Sequence, residues 1–230
     1  MARFILTDIE GTTTDIHFVH RVLFPYSAER MSAFIQENLD NPDVRVALDS
    51  VKKTVLDEQG VTITDTQAVE TLLQWIREDR KHGALKQLQG MIWRHGYESG
   101  AYRGHVYEDV PAALERWRQQ GIGLGIYSSG SVQAQKLLFR YSTAGDLTPY
   151  FSHYFDTAVG AKKETASYQK IAETLQLPPQ EILFLSDVEA ELDAAQTAGF
   201  QTIQLVRPET TPSTKHQTAP DFSSITPEAL

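Results

Sequence analysis

Four sets of polar residues in this chain could do chemistry, and three of them come directly after short apolar runs. Asp8 and Glu10 follow Phe4-Ile5-Leu6-Thr7, with Gly11 next; Ser128, Ser129 and Gly130 follow the run Ile122 to Tyr127. Lys162 and Lys163 follow Gly160-Ala161, and Asp187 follows the run Ile182 to Leu185 and Ser186, with Glu191 four residues on. Carboxylates and a hydroxyl pair gathered from distant positions suit a hard divalent cation that takes oxygen ligands and bridges to a substrate phosphate. Asp8 could then attack phosphorus and carry the phosphoryl group as an aspartyl phosphate, splitting hydrolysis into two steps. Glu10 would protonate the leaving oxygen and afterwards activate water.

Each set alone has a plainer reading. An acidic turn after a buried strand is commonplace, and Gly11 would serve any tight turn there. Ser128 and Ser129 could hold phosphoryl oxygens or cap the helix that follows, since both uses draw on the same end of a helix. A lysine pair is usually solvated, yet one lysine directed inward would neutralise both Asp8 and an incoming phosphate. Asp187 and Glu191 at a helix start could lie on one face beneath a metal, or could simply complement the helix dipole.

The elements between these sets give them a common frame. Apolar residues recur with helical spacing at Ala134, Leu137, Leu138 and Tyr141, and again at Tyr168, Ile171, Ala172 and Leu175. Strand, polar turn and helix in repetition predict a doubly wound α/β parallel sheet, with Gln201 to Val206 as a further strand. In such sheets ligands bind outside the carboxyl ends of the strands, where Asp8, Ser128 and Asp187 would converge. Residues 16–105 break the rhythm: they carry helical stripes such as Val44, Ala47, Leu48, Val51 and Val69, Leu72, Leu73, Ile76, and no comparable strand. They read as a helical cap inserted after the first strand, leaving 1–15 and 106–230 as the catalytic core. From Pro208 on, prolines, threonines and serines predict an irregular surface tail anchored by Phe222 and Ile225.

The chain has 230 residues, 41% of them hydrophobic and 22% charged, which is ordinary globular composition. With no cysteine, any metal must be held by oxygen or imidazole. The formal charge of -9 disfavours nucleic acid and anionic membranes as partners. One basic residue before Phe4-Ile5-Leu6 is too little for a signal peptide, and no apolar run reaches membrane-spanning length, so a cytoplasmic location is expected.

Taken together the four sets resemble the haloacid dehalogenase superfamily, which places an aspartate nucleophile, an acid two residues on, a strand-end serine, a later lysine and a final acidic group in this order. Glu10 and Glu191 stand where that superfamily usually has aspartate. The run Asp8-Ile9-Glu10-Gly11-Thr12-Thr13-Thr14, with Val22-Leu23-Phe24-Pro25-Tyr26, is similar to the enolase-phosphatase family, also called acireductone synthases. So are Gly104 to Val110, Tyr127 to Val132 running into Ala134 to Phe139, and Ser186-Asp187-Val188. The resemblance implies a monomeric enzyme with one Mg²⁺ that enolises 2,3-diketo-5-methylthiopentyl-1-phosphate and then removes its phosphate to give the acireductone. It makes Asp8, Glu10 and Asp187 the metal site, Ser128, Ser129 and Lys162 the substrate contacts, and Asp8, Glu10 and Lys162 the catalytic set. Lys162 is preferred to Lys163 because the family's lysine comes two residues after the glycine. Phe18, Phe24, Tyr97 and Tyr102 are candidates to meet the methylthio tail, and His17, His95 and Arg103 are polar candidates of the cap. The competing reading is a phosphatase or phosphomutase of the same superfamily acting on another small phosphorylated metabolite.

Overall fold

In the computed structural model, which describes residues 2–227, the chain divides into two compact units, one of residues 1–18 and 103–230 and the other Val19–Tyr102. The first unit is built on six parallel strands: β1 (Phe4–Thr7), β2 (Gly123–Tyr127), β3 (His153–Phe155), β4 (Ile182–Ser186), β5 (Gln201–Leu205) and β6 (Gln217–Ala219). Their order across the sheet is β3-β2-β1-β4-β5-β6. Strand order reverses at β1, which has β2 on one side and β4 on the other, so the carboxyl ends of these three strands frame the crevice where such sheets bind ligands. Both central strands, β1 and β4, are buried along their whole length, which is why they read as unbroken apolar runs rather than alternating ones.

Helices pack on the sheet through the stripes legible in the sequence. Tyr168, Ile171 and Ala172 lie in the same buried cluster as Phe4, Leu6, Phe184 and Leu192. Elsewhere in this unit Trp117 meets Phe222 with ring centroids 5.4 Å apart. Phe222 and Ile225 are buried anchors, but the tail before them is not wholly irregular: Gln217–Ala219 adds a parallel edge strand to β5. Nothing apolar marks that strand, and it forms because β5 offers it a free edge.

The second unit contains four α-helices, α1 (Phe24–Glu37), α2 (Pro42–Gln59), α3 (Asp65–Arg77) and α4 (Gly83–Glu98), preceded by a π-helical turn at Val19–Leu23. Val44, Ala47, Leu48 and Val51 of α2 meet Leu72 and Ile76 of α3 in one buried cluster with Met31 and Leu88. Thr64 begins α3 with a capping box, accepting from the Gln67 N–H while the Gln67 side chain accepts from its own. Gly60 ends α2 in a left-handed turn. The aromatic candidates of this unit are engaged in its packing: Tyr97 is buried, the Tyr102 hydroxyl donates to the Trp93 carbonyl, and Phe24 stacks on Trp93. Among the described residues no helix is long and apolar enough to cross a membrane.

Candidate active site

Asp8 continues β1 by one residue, its N–H donating to the Leu185 carbonyl of β4 at 2.9 Å. Its side chain is buried, and Oδ1 accepts from the Ile9 N–H at 2.7 Å and from Lys162 Nζ at 2.7 Å. The same ammonium lies 2.6 Å from Glu191 Oε2, which also accepts from the Ser186 hydroxyl at 2.9 Å. Lys162 is therefore the lysine turned inward, whereas Lys163 is exposed. Burial works against the ammonium, but the Asp8 and Glu191 carboxylates outweigh it and hold the Lys162 pKa above its usual value. The loop that delivers Lys162 is tied down locally: the Tyr168 hydroxyl donates to the Lys162 carbonyl, Ser167 to Ala161, and Tyr127 to Gly160.

Glu191 sits in the first turn of the helix Glu189–Thr197, but dipole complementarity is not its main contact. It is buried, with its pKa pushed up to about 7 by that burial and by Asp8, against the pull of Lys162. Asp187 lies ahead of the helix and faces Thr12 instead, so the two acids point to different partners. The Thr12 hydroxyl accepts from the Asp187 N–H at 3.1 Å and donates to Asp187 Oδ1 at 3.3 Å. Burial first, and then the Asp8 charge, push the Asp187 pKa up to about 6.

That raised value marks two carboxylates crowded together with less positive charge than they need. Two carboxylates with room for water and substrate oxygens suit Mg²⁺, which is commonly bound by one or two side chains plus phosphate. No group of three His, Cys, Asp or Glu side chains gathers into a metal-ligand cluster among the described residues, so Asp8, Glu10 and Asp187 do not meet as three side-chain ligands. Glu10 lies in the loop after β1, where its backbone bridges to Thr14. The residues present fit a divalent cation held by the Asp8 and Asp187 carboxylates.

Gly11 closes this loop at φ +74°, and a Cβ there would run into the Asp187 carboxylate. Gly11→Ala is accordingly expected to cost about 1–2 kcal/mol from the left-handed backbone alone. It should also displace Asp187, so that chemical denaturation shows the stability loss while turnover falls by a larger factor than stability explains.

Ser128 prolongs β2, its N–H donating to the Phe155 carbonyl, and its buried hydroxyl accepts from the Gly130 N–H at 3.2 Å. It lies at the same end of the sheet as Asp8, one strand over. Ser129 follows, half-buried. Ser131, not either of these, caps the next helix by accepting from the Ala134 N–H. Among the polar candidates, His17 pairs with Glu209 at 2.8 Å, while His95 and Arg103 are exposed. The roles of Thr12 and Arg207 were not legible from sequence, because their partners are remote in the chain: Thr12 lies within the run after β1, but nothing in that run points to Asp187, and Arg207 belongs to no local pattern.

The raised Asp187 pKa gives a pH dependence with a definite sign. Through the range between 3.8 and about 6 the folded protein holds a proton that the unfolded chain has lost, so this contribution is present at the acidic end and disappears as pH rises. In chelator, the stability of the wild type relative to Asp187→Asn is expected to fall across that window by on the order of 2 kcal/mol, after allowance for partial solvent screening. Thermal unfolding of both proteins at matched pH checks this, and saturating Mg²⁺ should flatten the dependence.

The parallel sheet, the buried aspartate at the end of β1 and the lysine between two acids are those of a haloacid dehalogenase-like hydrolase, and the family model of that description matches residues 2–199. Full-length relatives narrow the assignment. Enolase-phosphatase E1 of Picosynechococcus sp. is 53% identical over 226 residues, covering 98% of this chain and 99% of the relative. Enolase-phosphatase E1 of Erwinia tasmaniensis is 50% identical over 230 residues, covering 100% and 99%. The crystal structure of the UTR4 protein from Saccharomyces cerevisiae superposes with a TM-score of 0.79 at 36% identity, covering 98% of this chain and all of that one. The chain belongs to the enolase-phosphatase E1 family.

Proposed function

We infer that this chain is the enolase-phosphatase of methionine salvage, a phosphoric monoester hydrolase that enolises 2,3-diketo-5-methylthiopentyl-1-phosphate and then releases phosphate to leave the acireductone. The observation that carries the phosphatase chemistry is the buried contact of Asp8 with Lys162, itself backed by Glu191. A carboxylate attacking a phosphate must overcome repulsion between anions, and Lys162 supplies a fixed positive charge at that point without reorganisation. Asp8 Oδ1 is engaged by Lys162 and the Ile9 N–H, which leaves Oδ2 as the attacking oxygen.

The step forms the Oδ2–P bond and breaks the bond from phosphorus to the substrate oxygen, which takes a proton from Glu10. Glu10 then accepts a proton from water as that water attacks phosphorus, and the Oδ2–P bond breaks to regenerate Asp8. Ser128 and Ser129, at the end of β2, hold phosphoryl oxygens. Asp8, Glu10 and Asp187 would hold one Mg²⁺ per chain, which would supply charge neutralisation of the phosphate and polarisation of a substrate carbonyl. The Glu10 side chain, one methylene longer than the aspartate usual at this position, takes the C–H proton in the enolisation. By the same family resemblance the enzyme is a monomer of the cytoplasm.

Incubating the protein with the diketo phosphate and Mg²⁺, and following enol absorbance and released phosphate separately, tests this reading. Enol should form before phosphate appears. Phosphate released with no preceding enol would leave a phosphatase and remove the enolase half.

A further inference from the structure

Arg207 lies two residues beyond β5, is almost wholly buried, and spends its guanidinium on one backbone oxygen and one carboxylate. Nε and Nη2 both donate to the Thr12 carbonyl, at 3.1 and 2.9 Å. Nη1 and Nη2 donate to the two oxygens of Asp109 at 3.0 and 2.9 Å, and the Tyr107 ring lies 4.0 Å beneath the guanidinium carbon. Asp109 is fixed in turn, because Oδ2 also accepts from the Phe222 N–H at 2.8 Å. A buried arginine with a forked carboxylate partner has one available orientation, so the Thr12 carbonyl is held against a rigid donor pair.

Thr12 is the residue whose hydroxyl both receives the Asp187 N–H and donates to Asp187 Oδ1. The Asp187 carbonyl is held separately by Gln204 Nε2 at 2.9 Å, from β5. We propose that Arg207 is a positioning residue for the metal site, acting through Thr12 to fix the Asp187 carboxylate. The proposal rests on the reading of Asp187 as a metal ligand. Its chemical logic is that of outer-shell partners generally: a ligand free to rotate must be ordered on binding, and loss of such a partner typically costs ten- to a hundredfold in metal affinity. The charge of Arg207 does not account for the effect, since it is already matched by Asp109. The orientation it imposes on the Thr12 peptide does.

The test uses the full chain without substrate and Mn²⁺ as the probe, with bound metal read from the loss of the free-ion electron paramagnetic resonance signal. Asp187→Asn should abolish or strongly weaken binding. Arg207→Lys keeps the charge but loses the fork, and is expected to weaken Mn²⁺ about tenfold. Thr12→Val should weaken it comparably, and adding Arg207→Lys to that variant should change it by less than about twofold if the arginine works through Thr12. Arg116→Met is the matched control, because Arg116 anchors the same tail through the Phe222 and Ile225 carbonyls rather than through the loop after β1. It should lower the thermal midpoint and leave the Mn²⁺ constant unchanged.

Wild-type Mn²⁺ affinity in Arg207→Lys, alongside weakened binding in Asp187→Asn, would overturn the proposal while keeping the metal site. Equal weakening by Arg116→Met would reduce Arg207 to a structural residue and overturn it as well. Unchanged binding in Asp187→Asn would remove the metal-site reading itself, and the proposal with it. Should Arg207→Lys fail to fold, Asp109→Asn loosens the same guanidinium from its other side and is expected to weaken Mn²⁺ severalfold; wild-type affinity there overturns the proposal.

Discussion

Asp8→Asn is expected to leave a folded protein that releases phosphate on the order of 10⁶-fold more slowly than the wild type, the scale of loss seen when a covalent nucleophile is removed. The replacement keeps the shape of the side chain and an oxygen for the Ile9 N–H, which donates to Oδ1 in the wild type. What it removes is the nucleophilic oxygen and one buried charge. Asp8 is among the causes that raise both Asp187 and Glu191, so its neutralisation should let both acids ionise more readily. Stability at neutral pH should consequently hold or rise while activity disappears. Phosphate assays and thermal unfolding on the same sample check the two halves, and a variant that unfolds in proportion to its lost activity would contradict the reading.

Lys162→Met is expected to lose activity and stability together. It leaves Asp8 and Glu191 buried without the ammonium that lies within 2.7 and 2.6 Å of them, and breaking a buried pair from one side typically costs about 3–5 kcal/mol. Glu191, whose pKa is already pushed up to about 7 with the lysine present, should respond by holding a proton to still higher pH. The folded state then keeps a proton that the unfolded chain lost near 4.5, so the stability of this variant should fall steadily as pH rises from about 5 through neutrality. The exposed Lys163 provides the comparison: Lys163→Met should change stability by less than about 0.5 kcal/mol and leave turnover intact. Denaturant titrations of both variants at several pH values give the answer, and equal effects from the two lysines would contradict the site as described.

The parts of this molecule that were legible in the sequence are those where burial is complete. β1 and β4 are apolar throughout because both of their faces are covered, and the acids that end them stand out against that background. The helical stripes of α2 and α3 were legible for a related reason, since one face of each is buried in the same cluster. β3 and β6 were not. Each has only three residues, β3 with two of its three half-buried and β6 at the sheet edge with two exposed, so both are too short for an apolar run or alternation to mark them.

The site divides in the same way. Asp8 and Asp187 announce themselves by tipping strands, whereas Lys162 was set apart from Lys163 only by the family resemblance. Glu191 had a sufficient explanation as an acid in a first turn, and only the tertiary packing shows it turned to Lys162 and Ser186. Arg207 is separated from Thr12 by 195 positions and from Asp109 by 98, and it falls between the predicted strand Gln201 to Val206 and the irregular tail predicted from Pro208. Its contacts depend on where β5 ends and how the following segment returns to the loop after β1, and no local pattern encodes that.

The covalent role of Asp8 can be tested with a nitrophenyl phosphate and the Glu10→Gln variant. A good leaving group needs no acid in the first step, whereas attack by water still needs the base, so the phosphorylated enzyme should accumulate. A nitrophenolate burst equal to the enzyme concentration, with the mass of one phosphoryl group on Asp8 in the acid-quenched peptide, is the expected result. Turnover without a burst, or a burst with the added mass on any other residue, would contradict Asp8 as the nucleophile.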